Sequence, residues 1–414
     1  VWELEGVKRF ITNGDFDHPD NIVHMVLARP EGAGPGTKGL SLFIVPKFWV
    51  NEDGSLGERN GAVVTNVEHK MGIRGSATCE LTLGAGAKCR GLLLGEIHDG
   101  IAQMFHVIEY ARMGVGTKSM ATLSTAYLNA LDYTRVRKQG ADLMKAADKT
   151  APRVEIIRHP DVRRMLMLQK AFAEGLRAIA LWTANVQDQV ALRGGHGNHE
   201  AKPLDALNDF MLPIIKGYGS EKVYELLSLS LQCFGGSGFC QDYPIEQYIR
   251  DQKIDSLYEG TTHIQAQDLF FRKIGRDRGA TLQALLGQIE TTLDGLPAEL
   301  ATEKSALQLA VRDVQGIMMA MMGKLGQSVY HVGLQGNRML FALAELVIGW
   351  RLTINAKVAL AKVATAVGDD AAFYNGKLAV SRFYAKHVLP GISLTKKLIE
   401  QSDLDLMELS DDCW

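Results

Sequence analysis

The chain changes its hydrophobic period once, near residue 98, and that change limits the folds open to it. Upstream, short β-branched and aromatic runs alternate with turn clusters, as antiparallel strands require. Strands are expected over residues 22–28, 40–45, 62–69 and 79–83, and the opening VWELEGVKRFITNG reads as strand, turn and strand. From Asp99 onward the apolar residues Ile101, Met104, Phe105, Ile108 and Val115 recur at three- and four-residue intervals, through Leu128 and Leu131. That spacing predicts a long amphipathic helix. A second helix starts at Pro160-Asp161, with Val162, Met165, Leu166, Gln169, Phe172, Leu176 and Ile179 as its stripe, and fades at Arg193-Gly194-Gly195. A third covers residues 204–233 and a fourth begins at Thr262. Further periodic segments lie at 282–293, 305–322, 326–367 and 372–402, broken at Pro297, Gly323 and Asp369-Asp370. The implied fold is mainly α with a β domain in front: β over 1–97, a four-helix bundle over 98–278, and an additional helical domain over 279–414.

Composition excludes several classes. With a net charge of −2 and a pI near 6.6, nothing favours a polyanionic partner. Residues 279–414 alone hold 12 Lys+Arg against 14 Asp+Glu, so no basic domain for nucleic acid is present there. None of the five cysteines forms a C-x-x-C pair, and free thiols in a reducing cytoplasm follow. No run reads as long and apolar enough to span a membrane, and no signal peptide opens the chain. A formal G-x-G-x-x-G at Gly34, Gly36 and Gly39 lies between two strands with Pro35 inside it, which suits a hairpin loop and not a dinucleotide turn. His196, His199 and Glu200 are metal-ligand types, but their glycine-rich loop fixes no geometry, and no metal is expected. The Met318-Met319 and Met321-Met322 cluster suits helix packing.

The stretch from Gln232 to Ile274 carries the chemistry. A glycine cluster, Gly235-Gly236-Ser237-Gly238, precedes a single carboxylate, Glu259, set between Tyr258 and Gly260. Thr262 and Gln265 have capping-box spacing ahead of Leu269-Phe270-Phe271, so Glu259 is expected in a short loop before a helix N-terminus. Amides and the helix dipole favour an ionised carboxylate there, and a base beside a glycine can meet a ligand closely. By itself the Tyr-Glu-Gly triplet reads as easily as an exposed glutamate among turns.

The full stretch resembles the acyl-CoA dehydrogenases. Their pattern, Q-x-x-GG-x-G, Y-P-x-E, R-D and Y-E-G-T-x-x-I-Q, is met by Gln232, Gly235, Gly236, Gly238, Tyr243-Pro244, Glu246, Arg250-Asp251, Tyr258-Glu259-Gly260-Thr261 and Ile264-Gln265. The position four after the Glu is often a flavin-binding Gln in the family; here it is His263. The resemblance also covers Lys8, Phe10, Ile11, Thr12, Asn13 and Gly14, where the aromatic covers the flavin ring and the Thr hydroxyl bonds near its reactive nitrogen. Lys70-Met71-Gly72-Ile73-Arg74-Gly75-Ser76 is similar to the family's K-x-G-x-x-x-S stretch. Arg112 and Arg137 have the spacing of two cations on the family's first long bundle helix, one near bound CoA and one, in Y-x-x-x-R from Tyr133, reaching the flavin pyrophosphate of a neighbouring subunit. Without the resemblance either arginine suits an exposed helix face.

The resemblance implies a partial β barrel, a four-helix bundle and the extra C-terminal helical domain of the large bacterial subgroup, with residues 377–392 as that domain's last helix. It implies a chain truncated at its N-terminal side, since known members begin with a helical domain and the first barrel strands. It implies FAD as cofactor, held by Phe10, Thr12, Arg137, Gln232, Gly235, Gly236, Thr261 and His263. The substrate is then an acyl-CoA, contacted by Phe105, Ile108, Arg112, Tyr258 and Gly260. Glu259 is the base that removes the α proton as a trans-2-enoyl-CoA forms in fatty-acid β-oxidation. An electron-transfer flavoprotein is the implied acceptor and a homodimer or tetramer the implied assembly. An oxidase passing electrons to O₂, and a non-catalytic relative, remain alternatives.

Overall fold

The structure, a computed structural model, describes all 414 residues. Residues Val1–Ala111 form one compact unit and Arg112–Trp414 another.

The first unit is antiparallel β. Its strands are β1 (Trp2–Glu3), β2 (Gly6–Thr12), β3 (Val23–Ala28), β4 (Ser41–Pro46), β5 (Phe48–Val50), β6 (Leu56–Arg59), β7 (Ala62–Val67), β8 (Thr78–Leu83) and β9 (Arg90–Leu94). They build a four-stranded sheet, β1-β9-β4-β3, a three-stranded sheet, β2-β8-β7, and the β5–β6 hairpin. Strand β8 alternates strictly, burying Cys79, Leu81 and Leu83, because successive side chains of a strand face opposite sides. Leu81 and Leu83 meet Val26, Phe43 and Val45 of the larger sheet in one apolar core. These two sheets share no strand pairing, and β1, β3, β2 and β7 are their edge strands. The glycine loop joins paired β3 and β4, and the Arg29 guanidinium clamps it by donating to the Gly34 and Gly36 carbonyls. It is a hairpin loop.

The second unit is helical. Helix α1 (Gly100–Val136) is followed by a small hairpin, β10 (Lys138–Ala141) and β11 (Arg153–Glu155). Then come α2 (Pro160–Leu192), α3 (Lys202–Pro213), α4 (Gly219–Phe234), α5 (Ile245–Gln252) and α6 (Thr262–Gln267). The expected single helix over 204–233 is α3 and α4 joined by a π turn, Ile214–Tyr218. Pro213 lacks the N–H that the ladder needs, and the chain widens directly after it. A second π turn, Asp268–Ile274, follows α6. At eight residues, α5 is too short to declare a period in the sequence.

The remaining helices are α7 (Ala280–Asp294), α8 (Ala301–Leu325), α9 (Tyr330–Val363), α10 (Gly368–His387), α11 (Gly391–Glu400) and the short α12 (Asp405–Glu408). Gly323 lies inside α8, and Asp369-Asp370 lie in the first turn of α10, where acidic side chains complement the helix dipole. Pro390 splits the segment expected over 372–402, so α11 follows the stretch taken as the last helix. A single apolar core runs from Met120 through Ile399, and contacts set no boundary at residue 278. The expectation that no segment could span a membrane is corrected by α9, which is long and apolar enough by length and composition. It is largely apolar because it is largely buried, packed by α2, α6, α8, α10 and α11.

Candidate active site

Glu259 lies in the loop between a 3-10 turn, Lys253–Ser256, and α6. Its backbone is left-handed, with φ 54°, followed by Gly260 at φ 85°. A left-handed non-glycine residue costs about 1–2 kcal/mol and persists only where its surroundings impose it. Asp255 anchors the preceding turn. It is fully buried and accepts from Lys118 Nζ at 2.7 Å and Ser119 Oγ at 3.1 Å, both on α1. Gln252 Nε2 donates to the same serine at 2.8 Å. Tyr258 bonds Asp255 as well, and burial together with that carboxylate pushes its phenol pKa up.

Downstream, the cap of α6 is Thr261 and not Thr262: the Thr261 hydroxyl accepts from Ile264 N at 3.4 Å. Thr262 Oγ1 instead donates to Glu221 at 2.9 Å, so the capping box does not form. Gln265 has other work. Its Nε2 donates to the Glu259 carbonyl at 3.0 Å and the Gly260 carbonyl at 3.2 Å. From the opposite side Lys216 Nζ donates to the Gly260 carbonyl at 2.5 Å. Lys216 is fully buried on the π turn, and burial lowers its pKa to about 8. Gly217 lets these groups meet, since a Cβ there would stand 3.0 Å from Gln265 Cβ and 2.8 Å from a Leu340 methyl. Arg112 is buried too, paired with Asp268 of the second π turn at 2.6 Å, with its Nε left without a partner. His263 sits half-buried on α6, 2.9 Å from Gln267 Nε2. Lys216, Asp255, Asp268 and the role of Gln265 were not found by sequence reasoning. Only Lys216 carries a signal in the sequence, as a lone charge inside the apolar run LPIIKGYG.

The glycine cluster occupies another place. Gly235, at φ 59°, caps the C-terminus of α4, and the exposed Gln232 lies three residues earlier. A Cβ at Gly236 would meet nothing, so packing within this chain does not require that glycine, whereas one at Gly238 would stand 2.8 Å from Phe234 Cβ. Tyr133 stacks on Phe234 at 4.4 Å and its hydroxyl lies 3.3 Å from Ser237 Oγ, which brings the end of α1 to the cluster. Arg137 stands one residue beyond α1, not on it, exposed and with no ion-pair partner. Its carbonyl accepts from Ile156 N and starts the β10–β11 hairpin. From Lys216 to Gln232 is sixteen helical residues, or about 24 Å. No hydrogen bond or ion pair joins Glu259 to Gln232, Gly235, Gly236 or Arg137 within the chain.

In the β unit, a bulge sets Phe10. Lys8 pairs with Leu81 and Ile11 with Cys79, leaving two residues of β2 opposite one of β8. Phe10 takes φ 63° and is 68% exposed; Thr12 pairs with Thr78. Phe105 and Ile108 share a face of α1 within this unit, Phe105 exposed and Ile108 half-buried. Elsewhere, His196 Nδ1 lies 2.8 Å from Asp205, and no group of three or more His, Cys, Asp or Glu side chains gathers to hold a metal ion.

The family model described as "Acyl-CoA dehydrogenase, C-terminal domain" matches residues 98–272, and "Acetyl-CoA dehydrogenase C-terminal like" matches 285–410. The broad-specificity linear acyl-CoA dehydrogenase FadE5 of Mycobacterium tuberculosis is 57% identical over 422 residues, covering 99% of this chain and 69% of that protein. A butyryl-CoA dehydrogenase of Syntrophomonas wolfei is 36% identical, covering 100% of this chain and 68% of its own. A crystal structure of an acyl-CoA dehydrogenase complexed with FAD from Bacillus anthracis superposes with a TM-score of 0.73 at 20% identity, over 98% of this chain and 64% of that one, and so shares the fold. The chain thus spans about two thirds of the proteins it matches. With both helical segments matched by family models and a relative 57% identical along nearly its whole length, the chain belongs to the acyl-CoA dehydrogenase family.

Proposed function

We propose that Glu259 is the base in this family's reaction, the FAD-dependent oxidation of an acyl-CoA thioester to its trans-2-enoyl-CoA, within fatty-acid β-oxidation. The carrying observation is the turn itself. A carboxylate is held in a left-handed conformation, its carbonyl and the next tied inward by Gln265 and Lys216, while no protein group accepts from the Glu259 amide. That amide is free to donate to a thioester oxygen as the Glu259 carboxylate takes the α proton. A donor aimed at a developing oxyanion contributes on the order of 3 kcal/mol, which an α proton this weakly acidic needs. Tyr258 and Gly260 flank the substrate, and Phe105, Ile108 and Arg112 of α1 line its path.

The residues suit FAD. Gly235 and Gly236 leave backbone open where no side chain of this chain requires it, beside the unpaired Arg137, whose planar fork matches a pyrophosphate. Gln232 belongs to this group, Phe10 and Thr12 serve the flavin ring, and Thr261 and His263 serve the cofactor from α6. When bound, FAD accepts the hydride from the β carbon, so that proton and hydride together leave a double bond. The roughly 24 Å of helix between Lys216 and Gln232 suits an assembly in which two copies of the chain serve one flavin, a homodimer or a larger homo-oligomer.

An electron-transfer flavoprotein is the acceptor in this reading. Five free cysteines suit a cytoplasmic setting. The substrate is a linear acyl-CoA, as the name of the 57% identical relative suggests. The test is anaerobic mixing of the full-length protein with linear acyl-CoAs. Flavin bleaching with formation of a 2-enoyl thioester is expected, followed by turnover with an artificial electron acceptor but not with O₂. Failure to bleach contradicts the reading, and peroxide production would make the protein an oxidase.

A further inference from the structure

A fully buried lysine lies directly beneath the proposed catalytic turn, and packing alone does not explain it. Lys216 sits on a π turn, a distortion that recurs at functional sites. Its neighbours Ile214 and Ile215 are buried apolar residues, so a charge here carries a desolvation cost that packing does not offset. Its ammonium spends a hydrogen bond on the Gly260 carbonyl, 2.5 Å away, which Gln265 already serves.

We propose that Lys216 is a positioning residue for the α-proton abstraction: its ammonium fixes the peptide after Glu259 so that the carboxylate and the free Glu259 amide face the thioester together. The proposal rests on the reaction assigned above. Four charged groups face the ammonium: Asp255 from the 3-10 turn, Arg112 from α1, Glu259 from the loop and Glu221 from α4. The three carboxylates attract it and Arg112 repels it. Burial outweighs that attraction and brings its pKa down to about 8, so the charge that holds the turn disappears in mildly alkaline solution. Below that pH the charged, buried lysine costs stability, which returns as pH rises from about 8 towards the unfolded value of 10.5.

The test uses the full-length FAD-bound protein and Lys216→Met, which keeps the volume and removes the charge. Stopped-flow flavin reduction at saturating acyl-CoA should slow about 100-fold, as misplacement of a reacting group does. KM should stay within about twofold, since ground-state contacts remain. Tm of the variant should equal or exceed wild type below about pH 8, the margin shrinking at higher pH. A merely structural lysine would lower Tm and rate together, and that result overturns the role. In the unaltered protein, the rate at saturating substrate should fall above about pH 8; a rate flat to about pH 9.5 overturns the role even if Lys216→Met does not fold. A wild type inert toward acyl-CoA would defeat the assigned reaction. An active wild type matched by Lys216→Met defeats this role alone.

Discussion

Glu259 is held against its backbone preference, and the groups that hold it define the site. Its φ of 54° would suit glycine, so Glu259→Gly should gain about 1 kcal/mol in denaturant unfolding while losing flavin reduction. Gly217→Ala should do the opposite, costing about 1–3 kcal/mol by pressing on Gln265 and Leu340, and should slow flavin reduction as well. Equal unfolding midpoints for Gly217→Ala and wild type would refute the close approach. At this scale the sequence was informative where chemistry is exposed and silent where it is buried. Glu259 stood out through the pattern around it, from Gln232 to Gln265, and not through the Tyr-Glu-Gly triplet alone. Lys216 did not, because a lysine at helical spacing ordinarily lies on a surface, and only three-dimensional packing shows that this one lies on none.

Among the elements, two π turns carry the buried charges Lys216 and Asp268 to one place, and α4 separates that place from the glycine cluster. Hydrophobic period located α2 to within a residue or two, but cannot reveal a π turn, whose apolar spacing differs by a single residue. The helix start after Glu259 was legible, the cap was not. Thr261 and Thr262 are both N-cap residue types, only Thr262 has Gln three residues on, and its bond to Glu221 leaves the cap to Thr261. The C-terminal end of α4 yields a separate expectation. Arg137→Ala should lower FAD occupancy of the purified protein several-fold, while turnover per bound flavin changes less than twofold, as loss of a charge-assisted phosphate contact implies. Unchanged occupancy, read from the ratio of flavin to protein absorbance, would remove Arg137 from the cofactor site.

Across the whole molecule, the order of β unit and helices followed from the one change in period, whereas the shared core of residues 112–414 did not. Length and breaks suggested two helical domains, yet α9 packs against helices from both. Tyr218 of the first π turn donates to Glu345 of α9 at 2.9 Å and helps join the two segments. Burial raises the Glu345 pKa, so the folded protein binds that proton more tightly and loses stability as pH rises through the shifted value. Tyr218→Phe should therefore cost about 1–3 kcal/mol near neutral pH and less near about pH 5, where Glu345 is closer to protonated. Urea unfolding at the two pH values checks this, and a pH-independent loss would contradict it. The same shared core predicts one cooperative transition for residues 112–414, and cleavage near residue 278 should abolish it.

The central claim is that Glu259 removes the α proton, and it is tested most directly by Glu259→Gln in the full-length protein. Glutamine keeps the shape of the turn and lacks the base. Mixed anaerobically with excess acyl-CoA, the variant should retain wild-type FAD content while flavin bleaching slows by at least about 1,000-fold. Bleaching at a near wild-type rate would contradict the claim.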